Sequence, residues 1–298
     1  MKSNRIIKIS TPDIFSFKEC VWFLNRNFDD CLHSITGDTV TKAIEINNQV
    51  LLVHVSAPAK HLKVEILQGE VDAETEKALT EYITEWFDLD RDLKPFYNLL
   101  RKTKATAFLA NDYYGLRLPS ISDMFEALCW GIIGQQINLV FAYKLKRRLV
   151  EKYGTSISFN NETYHIFPHS EVLALATVED LRVMQFSEKK AEYIIGAAKA
   201  FTSGEISKVI IQNHSSLEAK QKALLSMRGV GIWTANYVLM KSLREQSSIP
   251  HGDAGLLNAL IKYKIIDAKN ETDKIDKFFK KYKGRESYLV FYLWRTLS

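Results

Sequence analysis

The sequence predicts an α+β protein: an N-terminal antiparallel β-sheet with helices, then an all-helical bundle built around two helices joined by a tight glycine turn. Three observations carry this. Period-two and β-branched runs crowd residues 1–70. From about Ala105 onward the apolar spacing is helical throughout, with helix-start residues at short intervals. Between two apolar helical segments in the last third lies Met227-Arg228-Gly229-Val230-Gly231, a turn whose glycines can take φ > 0 at little steric cost. The expected domains are 1–104, the sheet unit, and 105–298, the helical unit, with two helical lobes and a cleft between them.

Arg5–Ser10, Thr39–Ile46, Val50–Ala57 and Leu62–Leu67 read as strands, with Asn47-Asn48 as a hairpin turn between the second and third. Phe15–Phe28 interrupts them with a short helical segment. Asp72–Leu100 reads as one helix, because Leu79, Ile83, Trp86 and Phe87 recur at helical spacing among acidic residues. Further on, Ser120 and Asp123 are spaced as a capping box, Asn138 caps a helix that runs to Tyr153, and Thr177–Asp180 is a second capping box. Ser187 starts another helix, and Lys274–Lys281 and Arg285–Leu297 are the last two. Short connections throughout imply a compact bundle.

At 298 residues the chain has room for two or three cores. No apolar run reaches the length of a membrane span, and Met1-Lys2-Ser3-Asn4-Arg5 leads into no signal-peptide core, so a cytoplasmic setting is expected. Cys20, Cys31 and Cys129 are too scattered for a disulfide framework or a metal cluster, which suits a reducing compartment. Charge is uneven. Residues 1–105 hold 14 basic and 16 acidic side chains, whereas 106–298 hold 26 and 19, a net of +7 confined to the helical part. That distribution suits a polyanionic partner.

Each candidate site residue has a plain structural role beside the chemical one. The helix opening at Ile232 leaves free N–H groups at the positive end of its dipole, a seat for a phosphate; a bare turn is the plain alternative. Asp253, between Gly252 and Ala254-Gly255, starts another helix and so can be its N-cap. An ionised carboxylate at that place can also face the oxocarbenium-like sugar that forms when an N-glycosidic bond breaks. Gln135-Gln136, on a turn after Gly134, can form a wedge that fills the gap left by an extruded base, or a solvated amide pair. Trp130, Trp233, Tyr237, Tyr288, Tyr292 and Trp294 offer faces for base stacking, although most aromatics at helical spacing belong to cores. The lysines from Lys262 to Lys283 read as a solvated face.

Together these stretches resemble a known family. LLSMRGVGIWTANYVLM followed by IPHGDAGLLNAL looks like the helix-hairpin-helix and Gly/Pro–Asp signature of the DNA glycosylase superfamily of that name. GLRLPSISDMFEALCWGIIGQQIN, Lys152-Tyr153-Gly154 and Tyr292-Leu293-Trp294 resemble its DNA-3-methyladenine glycosylase II branch. The match covers about 105–298, and the strand-rich start fits the branch's extra antiparallel domain by pattern. The resemblance implies a base-excision enzyme that flips damaged nucleotides out of double-stranded DNA. Asp253 then matches the catalytic aspartate and Gln136 the wedge. Gly229, Val230 and Gly231 match the hairpin that binds a phosphate 3′ to the lesion, often with a monovalent cation. Arg228, Thr234 and Gln135 flank these positions and are grouped with them as DNA contacts. Trp233, Tyr237 and Trp294 are assigned to the base pocket.

Bifunctional members carry a nucleophilic lysine two residues after the second hairpin glycine; here that residue is Trp233, so the resemblance implies monofunctional hydrolysis of alkylated purines such as 3-methyladenine and 7-methylguanine. The last cysteine is Cys129, so the C-terminal iron–sulfur cluster of some members has no ligands, and no cofactor is expected. A monomer is expected. The sequence departs from the pattern at Gln185, where many relatives have glycine, and at Lys283–Ser287, which replaces Trp-x-Pro-Tyr-Arg. The rival readings are a glycosylase for oxidised or deaminated purines and a non-catalytic helix-hairpin-helix DNA-binding protein.

Overall fold

The computed structural model describes residues 5–26 and 28–297. Its first unit is a five-stranded antiparallel sheet of β1 (Ile6–Ser10), β2 (Ser34–Thr36), β3 (Thr39–Ile46), β4 (Gln49–Ala59) and β5 (His61–Gln68), in the order β1-β5-β4-β3-β2. Asn47 and Asn48 close the β3–β4 hairpin at φ 50° and 61°, the left-handed pair that a two-residue turn requires. One face of the sheet buries Ile7, Ile44, Val53, Val55 and Val64 against α1 (Phe17–Leu24) and α2 (Ala73–Trp86). β2 was not expected from the sequence; three residues are too few for a period-two signal.

The helix expected over Asp72–Leu100 is two helices. α2 stops at Trp86, and Asp88 turns the chain at φ 51° before α3 (Lys94–Lys102). Buried Asp88 accepts hydrogen bonds from Arg91 and Arg244 and from the Tyr288 hydroxyl, so a tertiary ion cluster overrides a continuous helical pattern. Leu93, Phe96, Tyr97 and Leu100 then pack into a core with α13 (Ala254–Lys262), α14 (Thr272–Phe279, ending in a 3₁₀ turn at Lys280–Tyr282) and α15 (Glu286–Arg295). The expected boundary at 104 therefore falls inside a hydrophobic core, and α3 packs with the C-terminal helices.

The second helical core gathers α5 (Met124–Ile133), α6 (Leu139–Tyr153), α9 (Glu188–Thr202), α11 (Leu217–Leu225) and α12 (Ile232–Lys241). The short helices α4 (Leu109–Asp112), α7 (Ser170–Ala174), α8 (Val178–Val183) and α10 (Lys208–Gln212) complete the chain. Asn138, Thr177 and Ser187 cap their helices as the sequence predicts. Two expectations need correction. Asp123 itself caps α5 by accepting from Phe125 N–H, while Ser120 Oγ donates to the Glu85 carbonyl instead of joining a capping box. The bundle is also not entirely helical: β6 (Thr155–Phe159) and β7 (Glu162–Ile166) form a hairpin that packs near β3. Asn160 and Asn161 turn it at φ 50° and 64°. No helix among the described residues is long and apolar enough to cross a membrane.

Lys241 is fully buried at the end of α12, 4.4 Å from the Phe23 ring centroid, with its ammonium donating to the Pro119 carbonyl. Burial pushes its pKa down to about 7. The unfolded chain thus binds more protons between pH 7 and 10.5, and stability rises with pH across that window. Lys241→Met is expected to stabilise the fold more at pH 6 than at pH 9, by on the order of 2 kcal/mol, in denaturant melts at the two pH values. Equal gains at both would show that burial does not hold the amine neutral.

Candidate active site and nucleic-acid interface

The hairpin between α11 and α12 is shaped by one obligatory glycine. Gly229 sits at φ 88°, and a Cβ there would lie 2.3 Å from the Tyr193 ring. Val230 buries its side chain in the adjacent core and donates its N–H to the Met227 carbonyl at 3.1 Å. Gly231 differs from the sequence expectation of a left-handed glycine: it is extended, at φ −92° and ψ 176°, with open space where a Cβ would be. It is the N-cap of α12 and brings no side-chain cap, so the first N–H groups of that helix stay available to a ligand. Arg228 points outward, paired with Glu192 at 2.8 Å.

Gln135 ties this hairpin to the end of α5. Its Nε2 donates to the Gly229 carbonyl at 2.9 Å and to Thr234 Oγ1 at 3.1 Å, so its amide braces the hairpin from within. Thr234 is buried against Gly131, and its side chain packs two helices together. Neither side chain faces outward, unlike the expectation that grouped both with DNA contacts. Gln136 is exposed at the tip of the turn, at φ 55°.

Asp253 caps α13, as its position suggests: Oδ1 accepts from Leu256 N–H at 2.7 Å. Two further donors come from distant helices. Trp294 Nε1–H reaches Oδ1 at 2.8 Å from the end of α15, and Trp233 Nε1–H reaches Oδ2 at 2.9 Å from the first turn of α12. Gly255 makes room for this, since a Cβ there would lie 3.3 Å from Trp294 Cδ1. Sequence reasoning placed Trp233 and Trp294 in a stacking pocket and missed their second role as indole donors. They lie 20 and 41 residues from Asp253 on other helices, so no spacing could reveal it.

Trp233 stacks on Tyr237, rings 5.2 Å apart and 18° from parallel. Tyr237 in turn lines a cavity of about 520 Å³ between the sheet and the helices, shared with Phe23, Trp130, Tyr143 and Lys146. Asp253 is not part of that cavity's wall, so the carboxylate and the large void are neighbours joined through the Trp233–Tyr237 stack. Tyr288 and Tyr292 are buried and hydrogen-bonded to Asp88 and Tyr97, which makes them core residues. A polar relay fixes the loop that carries Asp253. Ser248 Oγ donates to the Asn236 side chain at 2.9 Å, and Ser248 N–H donates to Ser287 Oγ at 3.1 Å, linking α12 to α15 five residues before Asp253. Among the described residues no three His, Cys, Asp or Glu side chains gather as a metal site.

The family described as HhH-GPD superfamily base excision DNA repair protein matches residues 129–284, which contain the hairpin and Asp253. The chain belongs to this superfamily. The 8-oxoguanine DNA glycosylase N-terminal domain matches 14–128. A DNA-3-methyladenine glycosylase of Bacillus subtilis is 40% identical over 297 residues, 99% of this chain and 98% of that one. Among solved structures, a 3-methyladenine DNA-glycosylase from Archaeoglobus fulgidus shares the fold at TM-score 0.82 and 22% identity, covering 97% of both chains. An 8-oxoguanine glycosylase/lyase of Clostridium acetobutylicum in complex with double-stranded DNA shares it at TM-score 0.77 and 17% identity, over 99% of this chain and 97% of that one. Gln185, where the sequence resemblance leads one to expect glycine, holds φ 72°, so the left-handed turn before α9 is kept without glycine.

Gly229→Ala must place a Cβ into the Tyr193 ring and force alanine to φ > 0, the latter alone worth roughly 1–2 kcal/mol. Its thermal unfolding midpoint is expected to fall by about 5 °C, whereas Gly231→Ala should melt near wild type. Equal midpoints for the two variants would contradict this division of roles.

Proposed function

We propose that this chain is a monofunctional DNA N-glycosylase that extrudes alkylated purines, 3-methyladenine and 7-methylguanine, from double-stranded DNA and hydrolyses their N-glycosidic bond. The observation that carries the reading is the Asp253 carboxylate, aimed by three N–H donors from α12, α13 and α15. A fixed anion of this kind stabilises positive charge developing on the sugar without moving as the charge appears. An alkylated purine that is already cationic leaves without much acid assistance, so one carboxylate suffices. The indole at Trp233 removes the amine that a Schiff-base route requires, and its face suits an electron-poor base. The 40% identity to the B. subtilis protein across nearly the whole chain supports the same substrate class.

In this reading the open N–H groups after Gly231 hold a phosphate, Gln136 fills the vacated stack, and Tyr237 lines the base pocket with Trp233. Arg228, exposed beside the hairpin, adds charge toward the backbone. The hairpin carbonyls of Met227 and Gly229 each accept one hydrogen bond and keep a lone pair, which leaves room for a monovalent cation; no step of the reaction runs through it. The chain acts as a monomer on cytoplasmic DNA and needs no other cofactor.

The N-terminal family match and the fold shared with 8-oxoguanine glycosylases favour one second reading, excision of oxidised purines. Base release from methylated duplex separates the two. The wild type should free 3-methyladenine and 7-methylguanine, and Asp253→Asn should lower single-turnover release by about 10³-fold while binding undamaged duplex as before. Near-normal release by Asp253→Asn, or release confined to oxidised duplex with borohydride-trapped adduct, would reject the proposal.

A further inference from the structure

The first turn of α6 exposes two apolar side chains beside the wedge. Leu139 is 44% and Val140 57% exposed, while Ala142 and Leu145 on the same helix are buried. Ile232, 43% exposed, lies on the first turn of α12, next to the open N–H groups. These features form one surface, because Gln135 bonds the turn before α6 to the Gly229 carbonyl and Gly131 packs on Thr234. The α5–α6 stretch brings no negative charge to this surface: residues 127–150 contain no Asp or Glu, and exposed Lys144 stands one turn from Val140 on the same face. Lys144 makes no ion pair among the described residues.

We propose that Leu139 and Val140 form an apolar shelf that enters the duplex beside Gln136 when a nucleotide is extruded and packs on the base and sugar faces thereby exposed. The inference rests on the glycosylase reading and names how the open DNA is held. The physical case turns on Gln136, whose amide brings donors and acceptors that a base stack cannot satisfy. An unstacked step is filled well by an apolar wedge, as Leu, Ile, Phe and Met are used elsewhere on bent or kinked duplexes. Leu139 and Val140 add that surface beside Gln136, Lys144 meets the adjoining phosphate, and Gln136, within the vacated stack, turns its amide to the edge of the orphaned base.

The test is the double variant Leu139→Gln with Val140→Gln. Both side chains are exposed, so an unchanged melting midpoint is expected and verifies the fold. Single-turnover release of 7-methylguanine is measured from a fully paired duplex and from one in which the lesion sits in a bulge, already unstacked. The shelf predicts release about 10-fold slower from paired DNA and within about 2-fold of wild type from the bulge, since the substrate then supplies the unstacking. Wild-type rates on both duplexes, or equal losses on both, would overturn it. A neighbouring 2-aminopurine reports stack opening independently of chemistry. If the wild type opens the stack but releases no methylated base, the substrate reading fails, and the shelf stands or falls on whether the variant loses that fluorescence gain.

Discussion

Three N–H groups from three helices converge on one carboxylate, and the arrangement of both helical cores follows from holding them there. Leu256 N–H is local to Asp253, as in any capped helix. Trp294 packs against the core that holds α15, while α12, which carries Trp233, sends Ala235, Val238 and Leu239 into the other core, so Asp253 sits where the two meet. Hydrogen bonds to an ionised group are worth about 1.5–3 kcal/mol each, which makes their geometry a constraint on the seam as well as a product of it. The Asn236–Ser248–Ser287 relay fixes the same seam a few residues away.

The elements proposed to face DNA hang on this frame through backbone more than side chain. Gly229 passes under Tyr193, Val230 is buried, and Gln135 bonds the hairpin to the turn at Gln136, so the proposed phosphate seat and the proposed wedge are tied into one unit. Such a tie suits the proposed task, in which a phosphate contact sets the distance to a carboxylate one helix away.

Much of this was legible in the sequence because it is written in local chemistry. Asn138, Thr177, Ser187 and Asp253 announce helix starts through their own side chains, and Asn47-Asn48 announces a hairpin. The same signal, Asn160-Asn161 between Thr155–Phe159 and Glu162–Ile166, lies in the region expected to be helical and went unread there. What stayed hidden is tertiary. Asp88 breaks a helix because Arg91, Arg244 and Tyr288 meet there. Gln135 and Thr234 look like surface polar residues and are instead internal braces. The double indole grip on Asp253 joins positions that no periodicity connects.

The most direct test of that grip is a double-mutant cycle on single-turnover base release, with Trp294→Phe and Asp253→Asn made singly and together. If Trp294 acts by orienting the carboxylate, Trp294→Phe slows release at least about 10-fold in the wild-type background and adds little to Asp253→Asn. An equal loss in both backgrounds, or none in either, would contradict a catalytic carboxylate positioned by indole hydrogen bonds.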